Sequence, residues 1–231
     1  MLGNCVRYGF ICVKYLIYLF LAFLKNNKKL KMKFYSLVFF VLISCLSLFS
    51  QPAGYGFGKQ ISIQSSQVSG GSPLANFPVL VSFTDNDLRT TANGGNVENA
   101  SGFDIIFTTN TCFVLVQLDH QIESYNPVTG EYVAWVRIPS LSNSTNTDIF
   151  MFYGNSSVAS DPSTTSVWTS PGYDGVWHLH NDFSDASGSG NNGTNNGSTD
   201  VSPANNSGDG QNFVDPNHWI ELTNHPNRNG S

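Results

Sequence analysis

The sequence predicts an all-β protein, an antiparallel β-sandwich followed by a shorter, strand-poor segment. Three observations carry this. Apolar residues recur with period two along several short segments, those segments are rich in β-branched and aromatic side chains, and Gly, Pro, Asn and Asp punctuate them at short spacing.

The elements follow in order. Ile61 and Ile63 alternate with Gln60, Ser62 and Gln64, which predicts a half-buried strand. Phe77, Val79, Val81 and Phe83 mark a second, and Phe103, Ile105 and Phe107 a third. Further strands are expected over Val114–Ile122, Glu131–Ile138 and Asp148–Tyr153, which carry residues suited to a pleated surface. Between two of them, Asn126-Pro127-Val128-Thr129-Gly130 supplies a fixed φ and a permissive one, so it should close a hairpin. Six or seven such strands indicate a sandwich over residues 51–170, with Phe77, Val79, Val81, Phe103, Ile105, Trp135 and Phe150 or Met151 in its core. Residues 154–172 turn polar and read as a linker or edge excursion. Residues 171–231 form the second unit: a strand at Gly175–Leu179, a mobile Gly, Asn, Ser and Asp tract over 184–212, and a last strand at His218–Leu222. Two strands are too few for an independent sheet, so this unit reads as truncated.

Charge is distributed unevenly. Residues 1–50 hold seven of the eleven Lys and Arg and none of the sixteen Asp and Glu, so residues 51–231 set four cations against sixteen carboxylates. Such an acidic body does not neutralise phosphates, which argues against nucleic acid as a partner. The basic bias instead flanks two apolar stretches, Tyr8–Leu24 and Phe34–Phe49. The second follows four lysines and would begin neatly from Met32, so residues 1–50 are read as a hydrophobic leader with a signal peptide starting at Met32 and cleavage between Ser47 and Ala53. A pair of membrane-anchoring segments is the alternative, and Leu42-Ile43-Ser44-Cys45 also resembles a lipobox. Cys5, Cys12 and Cys45 fall in the leader, which leaves Cys112 without an intrachain disulfide partner after cleavage.

Several separated motifs carry a family resemblance: Lys59-Gln60-Ile61-Ser62-Ile63, Asn76-Phe77-Pro78-Val79-Leu80-Val81, Phe103-Asp104-Ile105-Ile106-Phe107-Thr108, Leu118-Asp119-His120-Gln121-Ile122-Glu123-Ser124-Tyr125, Ala134-Trp135-Val136-Arg137-Ile138-Pro139-Ser140-Leu141 and Met151-Phe152-Tyr153-Gly154-Asn155. In this order they resemble a bacterial extracytoplasmic domain of unknown function, number 2341, over about residues 55–170. That resemblance implies an exported β-rich module of multidomain surface proteins, with no established chemistry. Cys112-Phe113-Val114-Leu115-Val116 departs from the polar turn usual there. Tyr173-Asp174-Gly175-Val176-Trp177-His178-Leu179, Asp185–Thr194 and Phe213 with Trp219-Ile220-Glu221-Leu222 resemble the opening of a concanavalin A-like, laminin-G-like jelly roll.

Four constellations are candidates for chemistry or binding. On a strand, Asp119 and Glu123 share a face with Gln121 while His120 points away, so a hydrogen-bonded network is expected ahead of a ligand contact or catalysis. His178 and His180 would share one side of a strand, a spacing that zinc sites use, but no third ligand is near, so His178 is expected to lie beside Trp177. Asp182 and Asp185 sit in an oxygen-rich loop and are candidate calcium ligands, with turn formation as the plainer role. Trp135, Tyr153, Trp168, Tyr173 and Trp219 offer rings for stacking on sugar faces, although core packing is their commoner role.

Gly-x-Ser-x-Gly, phosphate-cradling and His-Glu-x-x-His motifs are all missing, and Glu98, Glu123, Glu131 and Glu221 do not form the spaced acid triad of jelly-roll glucanases. The expected function is therefore a non-catalytic, secreted or surface-displayed bacterial binding and adhesion module for a glycan or cell-surface polymer. Asp119, His120, Glu123, Trp135, Trp177 and His178 are its candidate ligand contacts, and no cofactor is expected beyond calcium. The alternatives are a structural spacer and an accessory domain of a carbohydrate-active enzyme. Contact with a membrane is expected only through the leader.

Overall fold

The computed structural model describes residues 51–111, 114–169, 173–179, 182–201 and 210–222. The leader, Cys112 and His180 lie outside them. Two compact units partition the chain, residues 1–53 with 109–116, and residues 54–108 with 117–231. The described part of the first is residues 51–53 and pieces of the β3 and β4 strands given below.

The strands are β1 (Phe57–Ile63), β2 (Leu74–Thr84), β3 (Ile106–Thr111), β4 (Val114–Gln117), β5 (His120–Asn126), β6 (Glu131–Leu141), β7 (Thr147–Tyr153), β8 (Gly193–Asn196), β9 (Thr199–Val201), β10 (Gly210–Asn212) and β11 (Trp219–Leu222). One sheet has the order β1-β7-β3-β4 and a second the order β2-β6-β5. Pairing is antiparallel, from Phe57 opposite Tyr153 to Ile63 opposite Thr147 in the first sheet and from Leu74 opposite Leu141 to Thr84 opposite Glu131 in the second. The fold is the expected all-β sandwich. Two-stranded ribbons, β8 with β11 and β9 with β10, follow it.

The core lies where alternation directs it. β6 contributes Tyr132, Ala134, Val136 and Ile138, β7 contributes Ile149, Met151 and Tyr153, and Val81, Leu88, Val97, Ile105, Phe107 and Leu118 complete it. Burying each large side chain here contributes about 1.5–3 kcal/mol. Asn126 to Gly130 closes the β5–β6 hairpin as expected. The Asn126 side chain accepts the Val128 and Thr129 N–H groups, and Gly130 takes φ +74 with its α-carbon tight against the Asp85 carbonyl.

Several expectations change. The third strand begins at Ile106, and Phe103 is half-buried in a turn. Val114–Ile122 is not one strand but the ends of two in different sheets. The chain changes sheet at Leu118, whose N–H donates to Phe107, and Asp119, whose carbonyl accepts from Arg137. Trp135 is outside the core, because Tyr132, Ala134 and Val136 take the inner face of β6 and force it outward. Phe77 is left 37% exposed. Val79 only packs against the core from a half-buried position, and of Phe150 and Met151 the latter is the buried one.

Residues 175–179 form no strand. The Val176 N–H donates to the Asp185 carboxylate (2.9 Å), and Leu179 takes φ +59, which ends any extended run. The Gly and Asn tract, expected to be mobile, carries β8, β9 and β10 among its described residues. Side-chain amides and hydroxyls replace a core there: Ser198 Oγ lies 2.6 Å from Asn195 Oδ1 and 2.9 Å from Gln211 Oε1, its one proton serving either, and the Gln211 amide donates to the Leu179 carbonyl.

Asp104, fully buried, fastens one end of the sandwich. Its carboxylate accepts the backbone N–H groups of Glu98 (2.8 Å), Asn99 (3.0 Å), Gly154 (3.1 Å) and Asn155 (3.2 Å). Removing the acceptor orphans four donors at once, so Asp104→Ala should cost about 2–4 kcal/mol, read as a lowered denaturation midpoint in urea.

Candidate functional site

The outward face of the β5–β6 pair gathers the side chains of interest. Strict alternation along β5 would place Ile122 and Ser124 on one face, yet the register slips between them, so that Ala134 faces Ile122 and Val133 faces Ser124. Glu123 is the extra residue of this bulge. The slip lets both Ile122 and Tyr125 pack against the core while Gln121 and Glu123 contact groups on the other face.

Over that face sits the 3-10 turn Thr165–Trp168, followed after a short gap by residues 173–179. Trp168 is buried and meets Trp135 edge to face (centroids 5.2 Å) and Tyr173 edge to face (5.5 Å). The indole N–H groups are both used. Trp168 Nε1 donates to Gln121 Oε1 (2.7 Å) and Trp135 Nε1 to Glu123 Oε2 (3.1 Å). Because an indole only donates, the Gln121 atom it meets must be the oxygen. His178 Nε2 lies 3.0 Å from the same oxygen, and its Nδ1 contacts Glu123 Oε2. One imidazole thus bridges two residues of β5, sharing their acceptor oxygens with the two indoles.

Beside this cluster, side chains of β2 and β6, the end of β1 and the 173–177 segment line a groove of about 650 Å3. Phe77, Leu80, Trp135, Trp168, Tyr173 and Trp177 are its largest contributors, and Gln67 adds a polar side chain. Trp177 is held by its Nε1–H, which donates to the Asn191 carbonyl (2.9 Å). Arg137, one step along the outward row of β6 from Trp135, pairs with the Asp119 carboxylate.

Of the six candidate contacts, the structure brings Glu123, Trp135 and His178 into direct contact and puts Trp177 on the adjoining groove wall. Asp119 is engaged separately by Arg137. His120 is not available at all. It is buried against Phe107 (centroids 5.3 Å), its Nε2 lacks a partner, and burial lowers its pKa below the usual histidine value, so it sits in the core as a neutral ring. Trp168 and Tyr153 are likewise buried, whereas Trp219 is 51% exposed. Gln121 was grouped with the acids by face but not recognised as the shared acceptor. An indole and an imidazole converging on it from residues 47 and 57 positions away leave no local signal.

The two calcium candidates serve as turn formers. Asp185 is buried, and its oxygens are taken by the Val176 N–H (2.9 Å), the Ser187 N–H and hydroxyl (2.9 and 2.7 Å) and the Asn191 N–H (3.0 Å). Asp182 accepts the Ser184 N–H (2.8 Å). Among the described residues no group of three His, Cys, Asp or Glu side chains is placed to hold a metal.

A family model described as a domain of unknown function (DUF2341) matches residues 101–195, a span that begins after β2 and includes the His178 bridge and the Asp185 turn. No curated protein and no solved structure matches the chain, and nothing in these comparisons supports the jelly-roll resemblance of residues 171–231.

Asp185 gives this region an acid dependence. Burial opposes its charge, but the donors from Ser187, Val176 and Asn191 outweigh that and hold its carboxyl below the ordinary 3.8. A group depressed on folding stabilises the folded state above its unfolded value and loses that contribution as pH falls through the folded one. Wild-type stability should therefore fall below about pH 4 more steeply than that of Asp185→Asn, measured by urea denaturation across pH 2–6.

Proposed function

We propose that the chain is a non-catalytic, exported binding module that takes an uncharged glycan or cell-surface polymer in the groove beside β2 and β6. The observation that carries this is the aromatic lining of the groove. Trp135, Tyr173 and Trp177 offer faces for the C–H surfaces of sugar rings, and Gln67 adds a polar side chain to the lining. The acidic body disfavours polyanions, and the basic, apolar leader supports delivery to the cell exterior by secretion or surface display. The resemblance of residues 171–231 to the start of a concanavalin A-like unit supports the same reading.

A structural spacer is the second reading, and His178 favours it. Its bridge fixes the 173–179 segment onto the sandwich whether or not a ligand is present. No reaction is assigned to either reading, since His120 is enclosed in the core and Asp119 is neutralised by Arg137.

Calorimetry of the full chain against neutral oligosaccharides tests the proposal. An open groove of this kind should bind in the high micromolar to millimolar range, about −4 to −6 kcal/mol. Tyr173→Ala and Trp177→Ala should each weaken binding by about tenfold, in keeping with the loss of one ring contact. Absence of heat with every sugar, and unchanged tryptophan fluorescence, would favour the spacer.

A further inference from the structure

Three Asn-Gly pairs fall among the described residues: Asn93-Gly94, Asn192-Gly193 and Asn196-Gly197. In such a pair the missing Cβ of glycine lets its backbone nitrogen approach the asparagine side chain. Two of the three are restrained by hydrogen bonds. Asn93 Nδ2 donates to Thr90 Oγ1 (2.7 Å) and the Pro127 carbonyl (3.1 Å), and the Gly94 N–H to Thr91 (3.2 Å). Asn192 Oδ1 accepts the Asp185 N–H (2.9 Å), and the Gly193 N–H donates to Phe183 (2.6 Å).

Asn196-Gly197 is different. Asn196, half-buried, is the last residue of β8, the exposed Gly197 follows it at φ +86, and among the described residues the Asn196 amide makes one long contact, to the Thr194 carbonyl (3.3 Å). The Gly197 N–H meets no acceptor among the described residues. Against Gly197 lies the imidazole of His218: a Cβ on the glycine would stand 2.7 Å from its Cδ2 and 3.1 Å from its Nε2. His218 Nδ1 is buried and has no partner among the described residues.

We propose that Asn196 is a self-modifying site, converted to aspartate and isoaspartate with His218 as the base. The imidazole takes the Gly197 amide proton, the amide nitrogen bonds to Asn196 Cγ, and the Cγ–Nδ2 bond breaks. Nδ2 leaves as ammonia with the proton returned from the imidazole. Solvent water then opens the resulting cyclic imide at either carbonyl, giving aspartate or isoaspartate. The isoaspartate product adds one methylene to the backbone directly opposite Trp219, so the β8–β11 ribbon records the age of the molecule.

The test incubates the full chain at 37 °C and neutral pH, with peptide mapping and isoaspartyl methyltransferase labelling at intervals. Asn196 should convert about a hundredfold faster than Asn93 and Asn192, and His218→Ala should slow it by a similar factor, the low end of what a positioned base supplies. Added imidazole should restore the rate in His218→Ala, a rescue that a purely structural histidine would not show. Equal rates at the three asparagines, an undiminished rate in His218→Ala, or a slowing that imidazole does not reverse would each overturn the proposal.

Discussion

The sandwich depends on a carboxylate that water never reaches. Burying an ionised side chain costs several kcal/mol unless its oxygens are met by donors, and Asp104 is met by four backbone N–H groups. Those donors come from two loops distant in sequence, one entering β3 and one leaving β7, strands that are neighbours in the same sheet. Each loop contains amides that its own turn leaves unsatisfied, so neither is fully paired without the carboxylate. The two loops and the ends of both strands therefore form as one cooperative unit rather than separately.

This explains which parts of the fold were legible in the sequence. Alternation located β1, β2, β6 and β7 because each has one face on the core, and Asn126 with Gly130 announced the hairpin through local chemistry. The same signal failed for Trp135. A strand covered on both faces carries apolar side chains at odd and even positions alike, so period alone does not say which set is inside. The sheet change at Leu118 and Asp119 was hidden because the residues on either side of it suit strands equally well.

For the candidate site, residue types were legible and geometry was not. Glu123, Trp135, Trp177 and His178 were singled out for their chemistry, and the structure gathers them. Their meeting requires a bulge that adds one residue to β5 and a segment returning from over fifty residues away, neither of which has a local signature. Asp185 takes the turn-forming role that the sequence favoured, its oxygens accepting N–H groups from its own loop and from Val176. The polar tract escaped detection because amide and hydroxyl networks have no hydrophobic period.

The bulge and a proline also bear on how such a sheet behaves at high local concentration. In the β2-β6-β5 sheet the outer strands are β2 and β5, and on β5 the Ile122 N–H and the His120 carbonyl are already taken by Ser163 and Thr164. Pro78 removes an amide from β2, and nearby Asn76 takes φ +50, so that edge lacks a continuous row of donors. The bulge at Glu123 interrupts the register on the other side. A second molecule therefore finds no regular template to extend on either side. Self-recognition by strand addition is blocked at the level of the backbone, which leaves the outward face of the sheet free to carry large aromatic side chains without making the protein prone to fibrous assembly.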